Sequence, residues 1–326
     1  MHAAEARRAR ARKGRRMSRA GFCAIIGAPN AGKSTLTNRL VGAKVSIVTQ
    51  KVQTTRFPVR GVAIAGDAQI VLVDTPGIFQ PRRRLDRAMV RAAWGGAEDA
   101  DAVVHLVDAA AQLGDKPADR KAQADVDSIV EGLKKSGRKV ILALNKIDAV
   151  KREALLDISK TLFDTGVYDE VFMVSATSGS GVEDLKARLA ALMPDNPWFY
   201  PEDQTADLPA RLLAAEITRE KLYLRLHEEL PYSATVETTK FEERPAPPDG
   251  DGGVRIEQTI FVEREGQRPI VLGKGGQTLK WIGQKAREEL TAILDRPVHL
   301  FLHVAVDERW ADKREFYGPL GLDYDV

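Results

Sequence analysis

The feature that most constrains the fold is an eight-residue string, Gly27 to Ser34 (GAPNAGKS), that fits the pattern GxxxxGK[S/T]. It follows a short apolar run of strand length, Phe22 to Gly27, and Ser34 to Leu40 indicates the start of a helix. Backbone N–H groups of such a loop, with a helix N-terminus behind them, form a cradle for phosphate groups. The string therefore predicts a strand, a phosphate-binding loop and a helix in succession.

Further apolar runs of strand length follow along the chain, with polar stretches of helical spacing between the later ones. These runs are residues 69–73, 102–108, 139–144 and 170–174. Strands that are apolar throughout and alternate with helices are typical of a parallel sheet covered on both faces. We therefore predict a doubly wound, mostly parallel α/β domain over residues 19–193, with the glycine-rich loop at its first crossover.

The sequence Asn145-Lys146-Ile147-Asp148 follows the apolar run 139–144 and predicts which base is bound. A carboxylate at Asp148 can accept from both N1–H and the exocyclic amine of guanine, whereas adenine offers neither donor. Loss of such a buried pair costs about 10⁴-fold in selectivity. Asn145 and the Lys146 stem would brace the base, and a backbone N–H at Ser175-Ala176 would reach guanine O6. We therefore predict a guanine-nucleotide site.

Asp74-Thr75-Pro76-Gly77 ends the run 69–73, beside the glycine-rich loop of a parallel sheet. In such proteins a carboxylate at this place holds Mg²⁺ together with the hydroxyl of the loop serine, here Ser34. Lys33 is predicted to reach the β- and γ-phosphates. The amide of Gly77 can contact the γ-phosphate, so the loop that follows would sense hydrolysis.

The segment Gln53 to Arg56 (QTTR) supplies a threonine that can ligate Mg²⁺ when GTP is bound and release it afterwards. Thr55 is favoured over Thr54, and the choice between them stays open. The predicted catalytic residues are Lys33, Thr55 and Gly77, and the predicted metal ligands are Ser34, Thr55 and Asp74. The predicted nucleotide-binding residues are Gly27, Asn30, Ala31, Gly32, Lys33, Ser34, Thr35, Asn145, Lys146, Asp148, Ser175 and Ala176.

Residues 194–206 hold most of a proline-rich, acidic stretch that breaks periodic structure, so we predict a linker there. Beyond it, Asp207 is predicted to cap a helix that Pro231 ends. Alternating strands are predicted at 234–241, 254–262 and 298–306, and a helix from Gln277 to about Leu294. The order α-β-β-α-α-β over residues 207–326 predicts a small α+β domain.

Within that domain, Gly273-Lys274-Gly275-Gly276 lies between the apolar segment PIVL and the long predicted helix. A GxxG turn in this frame is the mark of a KH domain of the type II, bacterial arrangement. Its loop lets a nucleic-acid backbone approach closely, and the neighbouring groove clamps about four nucleotides. Lys274, Lys280 and Lys285 lie on or after the turn and can neutralise phosphates. The predicted RNA-binding residues are Gly273, Lys274, Gly275, Gly276 and Lys280.

Charge is unevenly placed along the 326 residues, whose formal net charge is +3. Residues 1–16 carry seven Lys/Arg and one Glu, so the rest of the chain carries about −3 by difference. We expect residues 1–18 to be a disordered tail. An upstream start codon before Met17 and an electrostatic arm for RNA are both open. The single cysteine, Cys23, is predicted to be a buried hydrophobe, which fits a reducing cytosol.

The chain resembles the Era branch of the translation-factor class of GTPases. The strings GAPNAGKST, QTTR, DTPG, NKID and SAT carry the resemblance in the first half, and VLGKGGQTLKWIGQKAR carries it in the second. Residues 312–326 and the loop at 245–253 depart most from the family. Ile78 stands where Ras-like GTPases have a water-orienting glutamine, so hydrolysis should be slow, about 10⁻⁴ to 10⁻² per second. Asn30 matches the position that holds an activating K⁺ in some relatives.

The resemblance implies a monomeric, bacterial, cytoplasmic protein that binds GTP or GDP with Mg²⁺. It also implies binding to the 3′ region of small-subunit ribosomal RNA and a part in assembly of the small ribosomal subunit. Three alternatives were weighed: a nucleotide kinase, which the NKID string disfavours; an RNA-binding protein whose first domain only clamps GTP; and a GTPase held weakly at the inner membrane by its basic tail. His299 and His303 are predicted to pack on the sheet surface rather than bind metal.

Overall fold

The computed structural model describes residues 18–244 and 252–326. The predicted tail therefore lies outside the described residues, apart from its last residue, and so does most of the loop at 245–253. The described residues form two compact units. The first holds residues 18–45, 59–74 and 94–207, and the second holds residues 46–58, 75–93, 208–244 and 252–326.

The first unit is built on a seven-stranded sheet. Its strands are β1 (Arg19–Ile26), β2 (Val59–Ala65), β3 (Ala68–Asp74), β4 (Ala102–Asp108), β5 (Val140–Asn145), β6 (Tyr168–Met173) and β7 (Ala206–Asp207), in the spatial order β6-β5-β4-β1-β3-β2-β7. Its helices are α1 (Lys33–Val41), the end of α2 (Arg84–Glu98), α3 (Ala109–Leu113), α4 (Pro117–Ser136), α5 (Arg152–Phe163) and α6 (Val182–Leu192).

The predicted mostly parallel, doubly wound sheet is confirmed. Strands β1, β3, β4, β5 and β6 pair in parallel, while β2 is antiparallel to β3 and β7 is antiparallel to β2. The sequence VRGVAIA of β2 was not predicted as a strand. It joins β3 through a two-residue turn in which Gly66 has φ 62°, a conformation that suits glycine.

The core of this unit lies between the sheet and the helices α1 and α6. Cys23 and Leu72 from the sheet pack with Leu36 from α1 and Leu185 from α6, all fully buried. The prediction that Cys23 is a buried hydrophobe is confirmed, and its burial raises the pKa of the thiol to about 12. Continuous apolar strands thus supply the face on which the site-bearing loops are fixed.

The predicted linker is tied to the first unit rather than left free. Trp198 donates its indole N–H to the carbonyl of Asp67 at 3.1 Å. The backbone N–H groups of Phe199 and Tyr200 both donate to Oε1 of Gln69, at 2.8 and 3.0 Å. This segment therefore belongs structurally to the first unit.

The second unit contains the predicted α-β-β-α-α-β domain. Its elements are α7 (Ala210–Arg225), β8 (Ala234–Glu243), β9 (Val254–Val262), α8 (Arg268–Leu272), α9 (Gln277–Leu294) and β10 (Val298–Val306). The sheet order is β10-β9-β8, with β9 parallel to β10 and antiparallel to β8. Leu222 of α7, Ile260 of β9 and Ile282 of α9 meet in its core.

Two predicted boundaries of α7 are wrong. Asp207 does not cap the helix: it lies in β7, and its carboxylate accepts from the Tyr200 hydroxyl at 2.7 Å. The helix starts only after Pro209, because a residue that precedes proline is held extended. It then ends at Arg225, since Leu226 turns extended to reach the core, and Pro231 instead opens a short 3₁₀ turn.

Residues 46–58 pack within the second unit. Ile47 lies in an apolar cluster with Ala214 and Ile217 of α7. The backbone N–H of Val48 donates to Oε1 of Glu220 at 2.9 Å. The loop predicted to sense the nucleotide is therefore part of the same compact unit as the predicted RNA-binding domain.

Candidate nucleotide and RNA sites

The glycine-rich loop requires glycine at two of its positions. A Cβ on Gly27 would lie 2.3 Å from the backbone oxygen of Leu106, and a Cβ on Gly32 would lie 2.3 Å from Nδ2 of Asn145. Gly32 also has φ 98°, and Asn30 adopts φ 62°. The loop therefore closes tightly on β4 and β5 and leaves its backbone N–H groups for a ligand.

Lys33, the first residue of α1, is 6% exposed. Its ammonium group donates to the backbone oxygens of Gly27 and Ala28 at 3.1 and 2.9 Å. Burial lowers the pKa of Lys33 to about 8, and the nearby Asp74 carboxylate opposes part of that shift. A buried ammonium group that is held only by carbonyl oxygens has reason to attract phosphate.

Ser34 and Asp74 come together as predicted. The Ser34 hydroxyl donates to Oδ2 of Asp74 at 2.7 Å, and Asp74 is fully buried at the end of β3. A hydroxyl and a carboxylate are the oxygen ligands that Mg²⁺ takes in proteins. The two residues thus fit a magnesium ion.

Asn145 connects three of the predicted nucleotide loops. Its Nδ2 donates to the backbone oxygen of Ala31 at 2.8 Å, and its Oδ1 accepts from the N–H of Ala176 at 3.0 Å. Asn145 is buried, whereas Asp148 is exposed and can meet a base. The side chain thus fixes the phosphate loop relative to the predicted guanine-binding loops.

Asp108 was not singled out from the sequence, although it ends the apolar run AVVHLVD as Asp74 ends its own. Its Oδ2 accepts from the Lys146 ammonium group at 2.5 Å, and its Oδ1 accepts from the backbone of Ala110 and Ala111. Lys146 has φ 64°, so the pair holds an unfavourable backbone turn beside the base-binding residues. The position of Asp108 at a strand end was the signal available in the sequence.

His105 is fully buried in β4 and was also not predicted. Its Nδ1 lies 2.8 Å from the hydroxyl of Tyr168. Burial, with a smaller contribution from Lys33, lowers the pKa of His105 to about 3, so the ring is neutral at physiological pH. It therefore adds no charge beside the phosphate loop.

Thr55 and Gly77, the other predicted contacts to Mg²⁺ and the γ-phosphate, lie in the second unit. Thr55 is buried there, and the backbone oxygen of its neighbour Thr54 accepts from the guanidinium group of Arg219. The Thr54 hydroxyl donates to the backbone oxygen of Lys51 at 2.7 Å. Their roles toward Mg²⁺ stay predictions.

Arg56 and Arg219 form a buried guanidinium pair in the second unit that the sequence did not reveal. Arg56, only 2% exposed, donates to the Tyr223 hydroxyl at 3.1 Å and stacks 5.2 Å from the Trp310 ring. Arg219 is paired with Glu216, but Nε and Nη1 of Arg56 have no hydrogen-bond partner among the described residues. Burial lowers the pKa of Arg56.

The GxxG turn precedes α9, where its glycines are conformationally required. Gly273, Gly275 and Gly276 have φ 75°, 60° and 76°, and Lys274 and Lys280 are exposed. A groove of about 380 Å³ lies beside the turn. It is lined by Gly276, Leu279, Lys280, Gly283, Gln284, Arg287, Leu300 and Leu302.

This groove combines an apolar floor with basic side chains at its edge. Such a surface can take bases on the floor and phosphates at the turn. His299 and His303 lie on the exposed side of β10, and the described residues contain no group of three or more His, Cys, Asp or Glu placed to hold a metal ion. Among the described helices, none is long and apolar enough to cross a membrane.

The fold and these two sites define a class of protein: a P-loop GTPase domain followed by a KH domain. Family models match both parts. The model described as "50S ribosome-binding GTPase" matches residues 22–146, and the model described as "KH domain" matches residues 229–311.

Known relatives narrow this class. GTPase Era of Caulobacter vibrioides is 71% identical over 314 residues, which cover 95% of this chain and 98% of the relative. GTPase Era of Rhizobium meliloti is 56% identical and covers 94% of each chain. The chain therefore belongs to the Era family of GTPases and is an enzyme that hydrolyses GTP to GDP and phosphate.

Two solved structures resemble the whole chain. One is an Era from Aquifex aeolicus bound to GDP·AlF₄⁻, with a TM-score of 0.83, 37% identity, and coverage of 94% of this chain and 100% of its own. The other is Era in complex with MgGDPNP and nucleotides 1506–1542 of 16S ribosomal RNA, with a TM-score of 0.82, 36% identity, and coverage of 95% and 100%.

Proposed function

We propose that this Era-family GTPase is a GTP-gated switch that binds the 3′ region of small-subunit ribosomal RNA and acts in assembly of the small ribosomal subunit. The observation that carries this proposal is the likeness, over nearly the whole chain, to an Era that holds both MgGDPNP and a 16S ribosomal RNA segment. The family model whose description mentions the 50S subunit matches only residues 22–146, so it carries less weight for the RNA partner.

In the nucleotide site, the backbone from Gly27 to Ser34 cradles the phosphates, and Lys33 exchanges its carbonyl partners for phosphate oxygens. Ser34 and Asp74 would hold Mg²⁺, which neutralises charge on the phosphates, and Thr55 would join them when GTP is bound. Asp148 reads the guanine edge. Burial of Asn145 between these loops supports the proposal, because it keeps the base-binding and phosphate-binding segments in register.

Hydrolysis is expected to be slow because Ile78 is buried and apolar at the position after Gly77. Its side chain can neither accept a proton from water nor orient it. A K⁺ ion near Asn30 could supply some of the missing charge. Turnover that is no faster in KCl than in NaCl would remove this part of the proposal.

Coupling between nucleotide and RNA would run through the two nucleotide-sensing segments, 46–58 and 75–93, because both belong to the second unit. Arg219 of α7 holds the backbone beside Thr55, so a rearrangement of Thr55 on GTP binding must change contacts to α7. By reciprocity, RNA that prefers the GTP state must tighten GTP binding by the same factor. The segment 194–206, predicted to transmit the coupling, is not required for this route.

The RNA site would use the GxxG turn and its groove. Lys274 and Lys280 are exposed and can pair with phosphates, while Leu300 and Leu302 give the bases an apolar floor. We further propose that the protein acts as a monomer in the bacterial cytoplasm, with membrane association at most weak and peripheral. Sedimentation at increasing concentration and flotation with vesicles test these two points.

The proposal is tested by measuring GTP hydrolysis with and without a short RNA from the 3′ end of small-subunit rRNA. We expect this RNA, but not a scrambled RNA of the same length, to stimulate turnover. A Lys280→Gln variant should need more RNA for the same stimulation while its turnover without RNA is unchanged. Turnover that is indifferent to the RNA would leave a GTPase whose partner is something else.

A further inference from the structure

A row of arginines follows the nucleotide-sensing loop at the start of α2. Five arginines occur between residues 82 and 91, with Asp86 as the one acidic residue among them. Arg84, Arg87 and Arg91 are spaced three and seven positions apart, so they lie on one face of the helix. Such a row of guanidinium groups is a surface for phosphate.

This row is covered by residues 323–326 within the same unit. Arg84 donates to the backbone oxygen of Tyr324 at 3.3 Å, and Arg87 donates to a backbone oxygen of Val326 at 3.3 Å. Arg91 pairs with the carboxylate of Asp323 at 3.1 Å. Each arginine of the row thus contacts this short acidic segment.

The covering segment also places an aromatic ring between guanidinium groups. The ring of Tyr324 lies 4.4 Å from Arg84 and 5.0 Å from Arg314. Arg314 in turn donates to both carboxylate oxygens of Asp325, at 2.9 and 2.7 Å. The segment Asp-Tyr-Asp therefore presents negative charge, a flat ring and negative charge in succession, as a stretch of single-stranded RNA does.

The cover is weakly held. The side chains of the Arg91–Asp323 pair are 63% and 47% exposed, and those of the Arg314–Asp325 pair are 70% and 68% exposed. Ion pairs this exposed contribute little to stability and are screened by salt. A polyanion could therefore displace the segment without disturbing the core.

We propose that the row Arg84, Arg87 and Arg91, with Arg314, is a second RNA-contacting surface that residues 323–326 occupy as an internal competitor. Its ligand would be single-stranded RNA flanking the segment in the GxxG groove. Guanidinium groups pair with phosphates and stack on bases, and Tyr324 already uses the stacking mode here. An anionic lipid surface offers charge but no ring, so RNA fits better. The inference rests on the proposed RNA function.

The test compares the full chain with a chain that ends after Leu322, using two RNAs. A short RNA fills only the GxxG groove, and a long RNA adds a single-stranded flank. Truncation should tighten the long RNA by about tenfold at low salt and steepen its salt dependence by about 0.7 log unit per phosphate gained. The short RNA should bind both chains equally.

Substitutions separate this effect from a loss of folding. Asp323→Asn with Asp325→Asn keeps the chain length and should tighten the long RNA in the same direction. Arg84→Ala with Arg87→Ala in the truncated chain should reverse the gain, whereas Arg120→Ala, an exposed arginine of α4, should not.

Equal binding of the long RNA by full and truncated chains would overturn the inference, and so would weaker binding after truncation. Binding of the truncated chain to phosphatidylserine vesicles, with no change toward the long RNA, would also overturn it. Failure of the short RNA to bind either chain would instead contradict the proposed RNA function, so the two failures are distinguishable.

Discussion

The nucleotide site of the first unit buries its charged side chains, whereas the RNA groove of the second unit leaves them in solvent. Lys33 and Asp74 are almost fully buried, while Lys274 and Lys280 are exposed. Charges out of water interact strongly but must be held in one geometry. Exposed charges act more weakly, and each contributes a similar small share.

This difference follows from the ligands that the two sites fit. A nucleotide is one compact molecule with its charges at fixed places, so a rigid and buried set of contacts can select it. RNA presents a repeating phosphate chain, and screened contacts along it give affinity that depends on salt. Single substitutions should therefore have large, specific effects in the first unit and small, graded effects in the second.

The largest effect is expected from Asp148→Asn. The amide cannot accept from both donors of guanine, so GTP affinity should fall by about 10³- to 10⁴-fold, because buried polar contacts are left unpaired. Xanthosine triphosphate, which carries an acceptor in place of the exocyclic amine, should bind the variant better than GTP. Nucleotide binding is measured by competition with a fluorescent analogue. Unchanged preference for guanine would place base recognition elsewhere.

The next effect tests burial itself. Asn145→Ala leaves the backbone oxygen of Ala31 and the N–H of Ala176 without their partner, so the free energy of unfolding should fall by about 2–3 kcal/mol. The control is Lys146→Met, which removes the half-exposed ion pair to Asp108 and should cost less than about 1 kcal/mol. Both are measured by urea unfolding. Similar losses in the two variants would contradict the comparison.

The fold of the first unit was largely predictable because its signals are local. Each predicted site residue of that unit follows a continuous apolar strand, and strand and helix periods are read from neighbouring residues. The same held for β9 and β10, whose alternation was complete. The shorter β2 was missed because its glycine and alanines carry little strand signal and its pairing to β3 is not visible in the sequence.

The features that were not predictable depend on residues far apart in the chain. Arg56 looked like an exposed loop residue, yet it is buried against Tyr223 and Trp310. The grouping of residues 46–58 with α7 follows from such contacts, and so does the loss of Asp207 to a sheet edge. Local pattern cannot report a partner that lies more than a hundred residues away.

A smaller effect is expected from pH at the phosphate loop. The pKa of Lys33 is about 8 without nucleotide, and phosphate oxygens would raise it by favouring the ammonium form. The complex then binds more protons than the free protein above about pH 8. GTP affinity should therefore be full below that pH and fall by up to about tenfold per pH unit above it.

Titration of GTP binding between about pH 7 and pH 9 measures this effect. A Lys33→Met variant should bind more weakly at every pH and lack the decline, since it has no ammonium group to lose. A decline of the same steepness in that variant would assign the titration to another group. RNA binding through exposed lysines, whose ammonium groups stay charged in this range, should not show it.

The smallest effect is expected at the RNA groove. Lys280→Gln removes one exposed positive charge and keeps most of the side chain, so RNA affinity should fall only about two- to fivefold at low salt. The slope of log affinity against log salt should become shallower by about 0.7, the share of one phosphate on a single strand. Lys151→Gln, an exposed lysine before α5, is the matched control and should change neither quantity. A loss of a hundredfold or more would mean that Lys280 makes a fixed, desolvated contact like those of the nucleotide site, and the contrast between the two units would fail.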